Sequence, residues 1–201
     1  MEAFINPQAE KQGHIINAAL NVFGRSGYKK ASLADIAEEA GVAKGMVNYY
    51  YGSKKNLYLY LAELCGRSMV DELEKNFDSE IKDFFDHLKM MMGIKIAVIK
   101  EYPAILLFLT GIYQEEDPEV KDEIQAYLAQ NLKLRERFIF EDTDVSRFKD
   151  DVDPKLIDKL LVWAAEGFTN SIGKNLNIDE VEKFTSELYD CLDLMKKYFY
   201  K

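Results

Sequence analysis

The chain has 201 residues, a formal net charge of −9, and apolar and aromatic contents of 48% and 12%. That length holds one substantial domain or a small module joined to a larger one, and the apolar content excludes a chain that stays unfolded. Four Pro and eleven Gly exclude a loop-rich, many-stranded all-β chain, whose turns consume both residue types, so an all-α fold of about nine helices is expected.

Cys65 and Cys191 lie far apart with no framework around them, which predicts two free thiols in a reducing compartment. No apolar run approaches the ~18 residues that a bilayer requires. Residues 1–10 carry two acids and no basic segment of the kind that opens a signal peptide. A cytoplasmic protein without a membrane partner is expected. The charge is spread unevenly: residues 1–60 hold seven Lys/Arg against five acids, and the remainder nineteen against thirty. A mildly basic head precedes an acidic body, and phosphate neutralisation, which needs Lys and Arg, favours the head.

The first helical pattern runs over 7–26, where Ile15, Ile16, Ala19, Leu20 and Phe23 share a face and Gly27 supplies the stop. Ser32 is placed as the N-cap of a short helix over 33–40, with Asp35 completing a capping box. Gly41 interrupts it, and a second short helix over 44–50 precedes Gly52 and Ser53. From Lys54 to about Phe77, Leu57, Leu61, Leu64, Met69, Leu73 and Phe77 keep one face, which makes this long helix the natural lever between head and body. Helices over 81–100 and 104–113 follow. Asp117-Pro118 and Asp153-Pro154 each read as an N-cap followed by proline at the first helical position, where the missing amide costs nothing. These predict helices over 118–141 and 154–172, the second stopped by Gly173, and Asn177 caps a last helix to about Phe199.

Between Leu33 and Gly52 the residues meet the requirements of a DNA-reading helix-turn-helix. Ala37 is small where two helices cross closely, Ile36 and Ala40 form a buried face, and Gly41 stands at the corner where positive φ is needed. Val42 and Val47 turn inward, leaving Lys44, Gly45, Met46, Asn48 and Tyr49 outside. An ordinary αα corner with a glycine stop would explain Ala37 and Gly41 alone. The flanks agree with the sharper reading: Phe23, Gly27, Tyr28 and Ser32 before the corner, then Tyr49-Tyr50-Tyr51 and Lys54 after it.

On these residues, 12–57 resembles the N-terminal domain of the tetracycline-repressor (TetR) family of transcriptional regulators. The carriers are Ile16, Ala18-Ala19, Phe23 and Gly27, then Ser32, Ile36-Ala37, Ala40-Gly41-Val42, Lys44-Gly45, Tyr50-Tyr51, Ser53-Lys54 and Leu57. The resemblance implies a three-helix DNA-binding domain over 1–53, joined by the long helix to a ligand-sensing and dimerisation bundle over 54–201. It further implies that Ser32 and Lys54 bind phosphates, that Lys44 and Gly45 enter the major groove, that Tyr49 and Tyr50 grip the backbone, and that Tyr51 is a buried anchor. Hydroxyls, lysines and helix N-termini are the groups that phosphate contacts use.

Four positions depart from the family pattern: Gln12, Ala43, Met46 and Asn48 stand where Arg, Ser or Thr, a small or polar residue, and Tyr are usual. Ala43 removes a hydroxyl, while Met46 and Asn48 are candidates for reading bases, since Asn pairs with adenine and an apolar side chain meets the thymine methyl.

With only seven Lys/Arg in the head, one copy neutralises few phosphates, so a homodimer on a palindromic double-stranded DNA operator is expected. The last two helices are apolar around much of their circumference. Ile157, Leu161, Ala164, Phe168, Phe184, Leu188, Leu192 and Met195 are the candidate dimer residues, with a plain core role as the alternative. In the body, Phe85, Leu88, Met91, Met92, Phe108, Leu109, Ile112, Tyr113 and Trp163 are candidates to line a cavity for a small hydrophobic or aromatic effector, although such stripes also make ordinary cores. The scarcity of buried-looking charge motivates the apolar effector.

An enzyme is not expected. His14, Cys65, His87 and Cys191 share no metal-ligand spacing, His14 reads as an exposed helix residue and His87 as a polar-face one, and the chain has no nucleophile elbow, P-loop or dinucleotide fingerprint. No cofactor is expected. The rival of another class is an acidic helical adaptor that binds protein without DNA, motivated by the acidic body and by Glu115-Glu116-Asp117.

Overall fold

The computed structural model describes residues 10–141, 143–172 and 177–201, without the side chains of 10, 169, 170 and 172. The expected helix start near Pro7 and the stop at Gly173 lie outside the described residues. The protein is all-α. Its helices are α1 (Glu10–Lys30), α2 (Leu33–Glu39), α3 (Lys44–Tyr51), α4 (Lys54–Asn76), α5 (Phe84–Glu101), α6 (Pro103–Tyr113), α7 (Lys121–Phe140), α8 (Pro154–Ile172) and α9 (Ile178–Phe199). Among the described residues, no helix is long and apolar enough to cross a membrane.

Local chemistry sets most boundaries. Gly27 leaves helical geometry with φ 71° and ψ 170°, so α1 is broken there and resumes for a last short stretch. The Ser32 hydroxyl accepts from the Asp35 amide at 3.2 Å, and the Asp35 carboxylate accepts from the Ser32 amide at 3.1 Å, completing the expected box. Asn177 caps α9 by accepting from the Glu180 amide at 3.1 Å. Two starts fall later than the sequence suggests. α5 opens at Phe84 instead of residue 81, because Asp83 takes the capping role and accepts from the amides of Phe85 and Asp86. α7 opens at Lys121, after a turn in which the amides of Val120 and Lys121 donate to the Asp117 carbonyl.

The chain forms two compact units by contact, Met1–Asp71 with Glu101–Leu132, and Glu72–Lys100 with Lys133–Lys201. This division by packing differs from the functional boundary expected at 53/54: the first unit groups α1–α3 with α6, most of α4 and the first part of α7. Its centre is an aromatic cluster in which Tyr58 lies 4.9 Å from Phe23, 5.0 Å from Tyr28 and 5.3 Å from Phe108, centroid to centroid. α1 and α6 approach closely at Gly24, where a Cβ would stand 2.9 Å from the Leu107 Cβ and 3.1 Å from the Phe108 amide nitrogen. α4 and α7 meet at Gly66, where a Cβ would run into the Tyr127 hydroxyl.

The second unit has its own core of Phe84, Phe85, Leu88, Met91, Ile139, Phe148, Ile157, Leu161, Leu188 and Leu192. Its chain end is pinned: Phe148 bridges to Tyr200, and Asp83 pairs with Arg147 at 2.6 Å and with Lys196 at 3.1 Å. His87 corrects the polar-face reading. It is fully buried in this unit, with Nδ1 2.9 Å from the Thr143 hydroxyl, because the α5 face that carries Phe84, Leu88 and Met91 turns inward.

Candidate functional site

α3 is eight residues long, too short to persist on its own, and it is held by one fully buried residue, Val47, beside Ile36 and Ala37 of α2. Gly41, at φ 66°, turns the chain between the two helices in the left-handed region, which the Cβ of other residues disfavours. The Val42 amide donates back to the Ala37 carbonyl at 2.9 Å and closes the corner. Anchoring of Val47 dictates what faces out. Lys44, Gly45, Asn48, Tyr49 and Tyr50 are exposed, Tyr49 at 83%, and Met46 is half-buried.

Ala43 is the N-cap of α3 and offers no side-chain acceptor, so the first amides of α3 keep the partial positive charge of a helix start. Among the described residues nothing stands within 4 Å of where a Gly45 Cβ would be, leaving a bare patch of backbone. Tyr49 and Tyr50 rings lie 5.4 Å apart, and Tyr51, half-buried, lies 5.4 Å from Tyr60. Burial raises the Tyr51 phenol well above its ordinary value, with Tyr60 and Tyr50 adding to the shift.

The two expected phosphate ligands outside α3 are engaged within the protein. The Ser32 hydroxyl donates to the Asp35 carboxylate at 2.8 Å as part of the capping box. The Lys54 ammonium donates to the Tyr28 carbonyl at 3.0 Å and sits 4.2 Å from the Tyr28 ring centroid, leaving two of its three N–H donors for other acceptors.

Glu115, read from the sequence as part of a solvated acidic run, has an inward role. Its carboxylate accepts from the Tyr28 amide and from the Tyr58 hydroxyl, each at 3.3 Å, so it stitches the end of α1 to the start of α4. Glu116 pairs with Lys121, and Glu123 pairs with Lys55 at 2.6 Å. Nothing in the local sequence separates Glu115 from its acidic neighbours, because its partners lie 57 and 87 residues away.

The candidate effector residues divide between the units. Phe108 and Ile112 are buried and Leu109 half-buried in the first, whereas Phe85, Leu88 and Met91 are buried and Met92 half-buried in the second. Tyr113 and Trp163, at 62% and 51% exposure, are on the surface, which corrects their reading as interior residues: the α6 and α8 faces that turn inward are those of Ile112 and Leu161.

The candidate dimer residues also divide. Ile157, Leu161, Leu188 and Leu192 are buried in the chain's own core and present no surface to a second chain, which corrects that part of the reading. Phe168 and Phe184 stack on each other at 3.9 Å and are half-buried, as is Met195, while Ala164 is exposed. The apolar residues that do face outward are one position round the helix: Leu156, Leu160 and Trp163 on α8, and Leu194 and Tyr198 on α9.

A short helix, pinned by one valine and presenting lysine, asparagine and two tyrosines from a glycine corner, defines a helix-turn-helix protein. A family model described as "Bacterial regulatory proteins, tetR family" matches residues 15–61, which contain the whole of α2 and α3. Residues 15–61 thus carry the N-terminal domain of the tetR family of bacterial regulatory proteins. The chain is 23% identical over 188 residues to the biofilm operon negative transcriptional regulator IcaR of Staphylococcus epidermidis, an alignment covering 91% of this chain and 97% of that one. To the regulator AcrR of Shigella flexneri it is 31% identical over 91 residues, 45% of this chain and 41% of that one. Among solved structures, the fatty acid degradation regulator FadR of Bacillus halodurans superposes with a TM-score of 0.69 at 19% identity, covering 92% and 97% of the two chains. FadR of Bacillus subtilis in complex with stearoyl-CoA gives 0.68 at 18% identity, covering 89% and 96%.

Proposed function

We propose that the protein is a repressor that binds a palindromic duplex DNA operator as a homodimer, through α3, and releases it when a small, largely apolar effector binds. The observation that carries the reading is the outer face of α3: Lys44, Asn48, Tyr49 and Tyr50 exposed around the buried pin Val47. Lysine and asparagine are base-edge and phosphate donors, tyrosine hydroxyls are backbone donors, and an uncapped helix start favours phosphate. Two copies with recognition helices about 34–36 Å apart would read successive turns of one duplex.

Pairing is supported by the outward apolar residues Leu156, Leu160 and Trp163 of α8 with Leu194 and Tyr198 of α9, a larger exposed set than a solitary chain needs. Effector response is supported by the fold shared with FadR of Bacillus subtilis, which is described in complex with stearoyl-CoA, and by the Met91-Met92 pair on α5, whose flexible thioethers suit a variable ligand. Coupling between effector and DNA of about 1–3 kcal/mol would suffice for regulation.

Selection of bound sequences from random duplex DNA tests the reading. The expected result is a palindrome whose binding weakens with salt and is lost in Lys44→Ala and Tyr50→Ala. Failure to retain any duplex, with no dependence on those two residues, would favour the acidic adaptor instead.

A further inference from the structure

Tyr28 is held from both sides by charged groups of the first unit. It follows Gly27, where α1 leaves helical geometry, and stands shortly before Ser32, the N-cap of α2, so its place fixes where the helix-turn-helix begins. Its amide donates to Glu115 Oε2 at 3.3 Å, and its carbonyl accepts from the Lys54 ammonium at 3.0 Å. Lys54 also lies 4.2 Å from the Tyr28 ring centroid. Tyr58, one turn further along α4, packs edge-on to that ring at 5.0 Å and donates its hydroxyl to the same Glu115 oxygen at 3.3 Å. The other oxygen accepts from the Asp117 amide at 2.9 Å, so both oxygens of the carboxylate are engaged.

The two charges are spent on Tyr28 instead of on each other. Among the described residues Lys54 forms no ion pair, whereas its neighbour Lys55 pairs with Glu123 at 2.6 Å. The half-buried Lys54 ammonium is thus seated on a carbonyl and a ring face without being neutralised by a carboxylate, and two of its three donors remain for an anion outside the chain. A freely rotating lysine gives up rotamer entropy when it meets a phosphate, and one already seated gives up less. Glu115 supplies the seat: it fixes the Tyr28 backbone that Lys54 grips and the Tyr58 ring that packs on Tyr28.

We infer that Glu115 is a positioning residue for operator binding: without touching DNA, it holds Tyr28 so that Lys54 presents its ammonium to a backbone phosphate. The inference rests on the reading of the protein as a binder of duplex DNA and adds an acidic residue to the apparatus that does so. The sign of the effect separates this role from plain electrostatics. An acidic side chain near a phosphate-binding surface repels DNA, so its removal alone would tighten binding. Positioning requires that its removal weaken binding.

The test measures operator affinity of the full-length protein over a range of salt concentrations, well below the unfolding temperature of every variant. Glu115→Ala is expected to weaken binding about fivefold or more, within the range of coupled neighbours, whereas Glu115→Gln, whose amide oxygen still accepts from Tyr28 and Tyr58, should bind as the unaltered protein does. Lys54→Ala is expected to weaken binding and to reduce the salt slope by about 1 per bound chain, as loss of one phosphate contact does. Glu115→Ala should reduce the slope as well, although it removes no cation, and should cost nothing further in the Lys54→Ala background. Should Glu115→Ala not fold, Tyr58→Phe with Glu115→Ala, which orphans no buried hydroxyl, carries the same comparison against Tyr58→Phe alone. Tighter binding or an unchanged slope in Glu115→Ala, an equal loss in Glu115→Gln, full additivity with Lys54→Ala, or no effect of Lys54→Ala overturns the positioning role while leaving α3 as the reading helix. Failure of the unaltered protein to retain any duplex overturns it together with the DNA-binding reading on which it rests.

Discussion

Lys44 is exposed at the head of α3, so its removal separates binding from folding. Lys44→Ala should leave the unfolding midpoint unchanged and weaken operator binding by about 1–3 kcal/mol, with relaxed preference at one base pair of the half-site. Measurement of binding across single-base operator variants checks this; uniform weakening at every position would assign Lys44 to the phosphates instead. The two cysteines differ in the same local sense. Cys65 is buried in α4, which pushes its thiol up to about 12, and Cys191 is exposed on α9. A thiol reagent at neutral pH should label one cysteine per native chain and both after denaturation. Rapid labelling of both in the native protein would mean that α4 opens readily around Cys65.

Helix crossings depend on what one element leaves room for on another. At Gly66 the α4 backbone lies under the Tyr127 ring of α7, and burial raises the Tyr127 phenol to about 12. Gly66→Ala should destabilise the protein by about 1–3 kcal/mol through overpacking, and Tyr127→Phe, by removing the oxygen that the new methyl meets first, should restore part of that loss. Denaturant unfolding of the two single variants and the double variant gives the coupling. Simple additivity would mean that the two helices adjust their separation. Glu115 is the other element-scale device. Glu115→Ala would leave the buried Tyr58 hydroxyl without its acceptor, at a cost of about 1–3 kcal/mol, whereas Tyr58→Phe together with Glu115→Ala should cost less than the sum of the two. Thermal unfolding of the three variants decides.

For the molecule as a whole, the outward apolar side chains of α8 and α9 set the expected assembly. Leu160 and Leu194, 45% and 58% exposed in the single chain, lie outside the buried core that holds Leu161 and Leu192. Leu160→Asp with Leu194→Asp should therefore leave the helical content intact, shift sedimentation from dimer to monomer, and weaken operator binding along with it. A dimer that persists in the double variant would move the interface elsewhere. Loss of DNA binding without loss of the dimer would point to a role of these residues other than pairing.

Much of the fold was legible in the residues because its determinants act over a few positions. Ser32 and Asp35 meet across one helical turn, Gly41 needs only its own φ, and Asn177 caps a helix three residues ahead, so helix ends and the helix-turn-helix corner follow from neighbours in the chain. Val47 inward and Tyr49 outward follow from the same short-range periodicity. Faces of α8 and α9 were not legible in this way. Both helices carry apolar residues on adjacent registers, and whether Ile157 or Leu156, Leu161 or Leu160, turns inward depends on the ridges of other helices that only the folded chain brings alongside. The same holds for His87, for Glu115 and for the ion pair of Arg135 and Asp158, whose members are separated by 23 residues. Sequence by itself determined the helices and the helix-turn-helix corner, since hydrogen bonds and backbone sterics are local. Tertiary structure alone decided which apolar surfaces are core and which charges are buried together, since desolvation is a property of the packed neighbourhood.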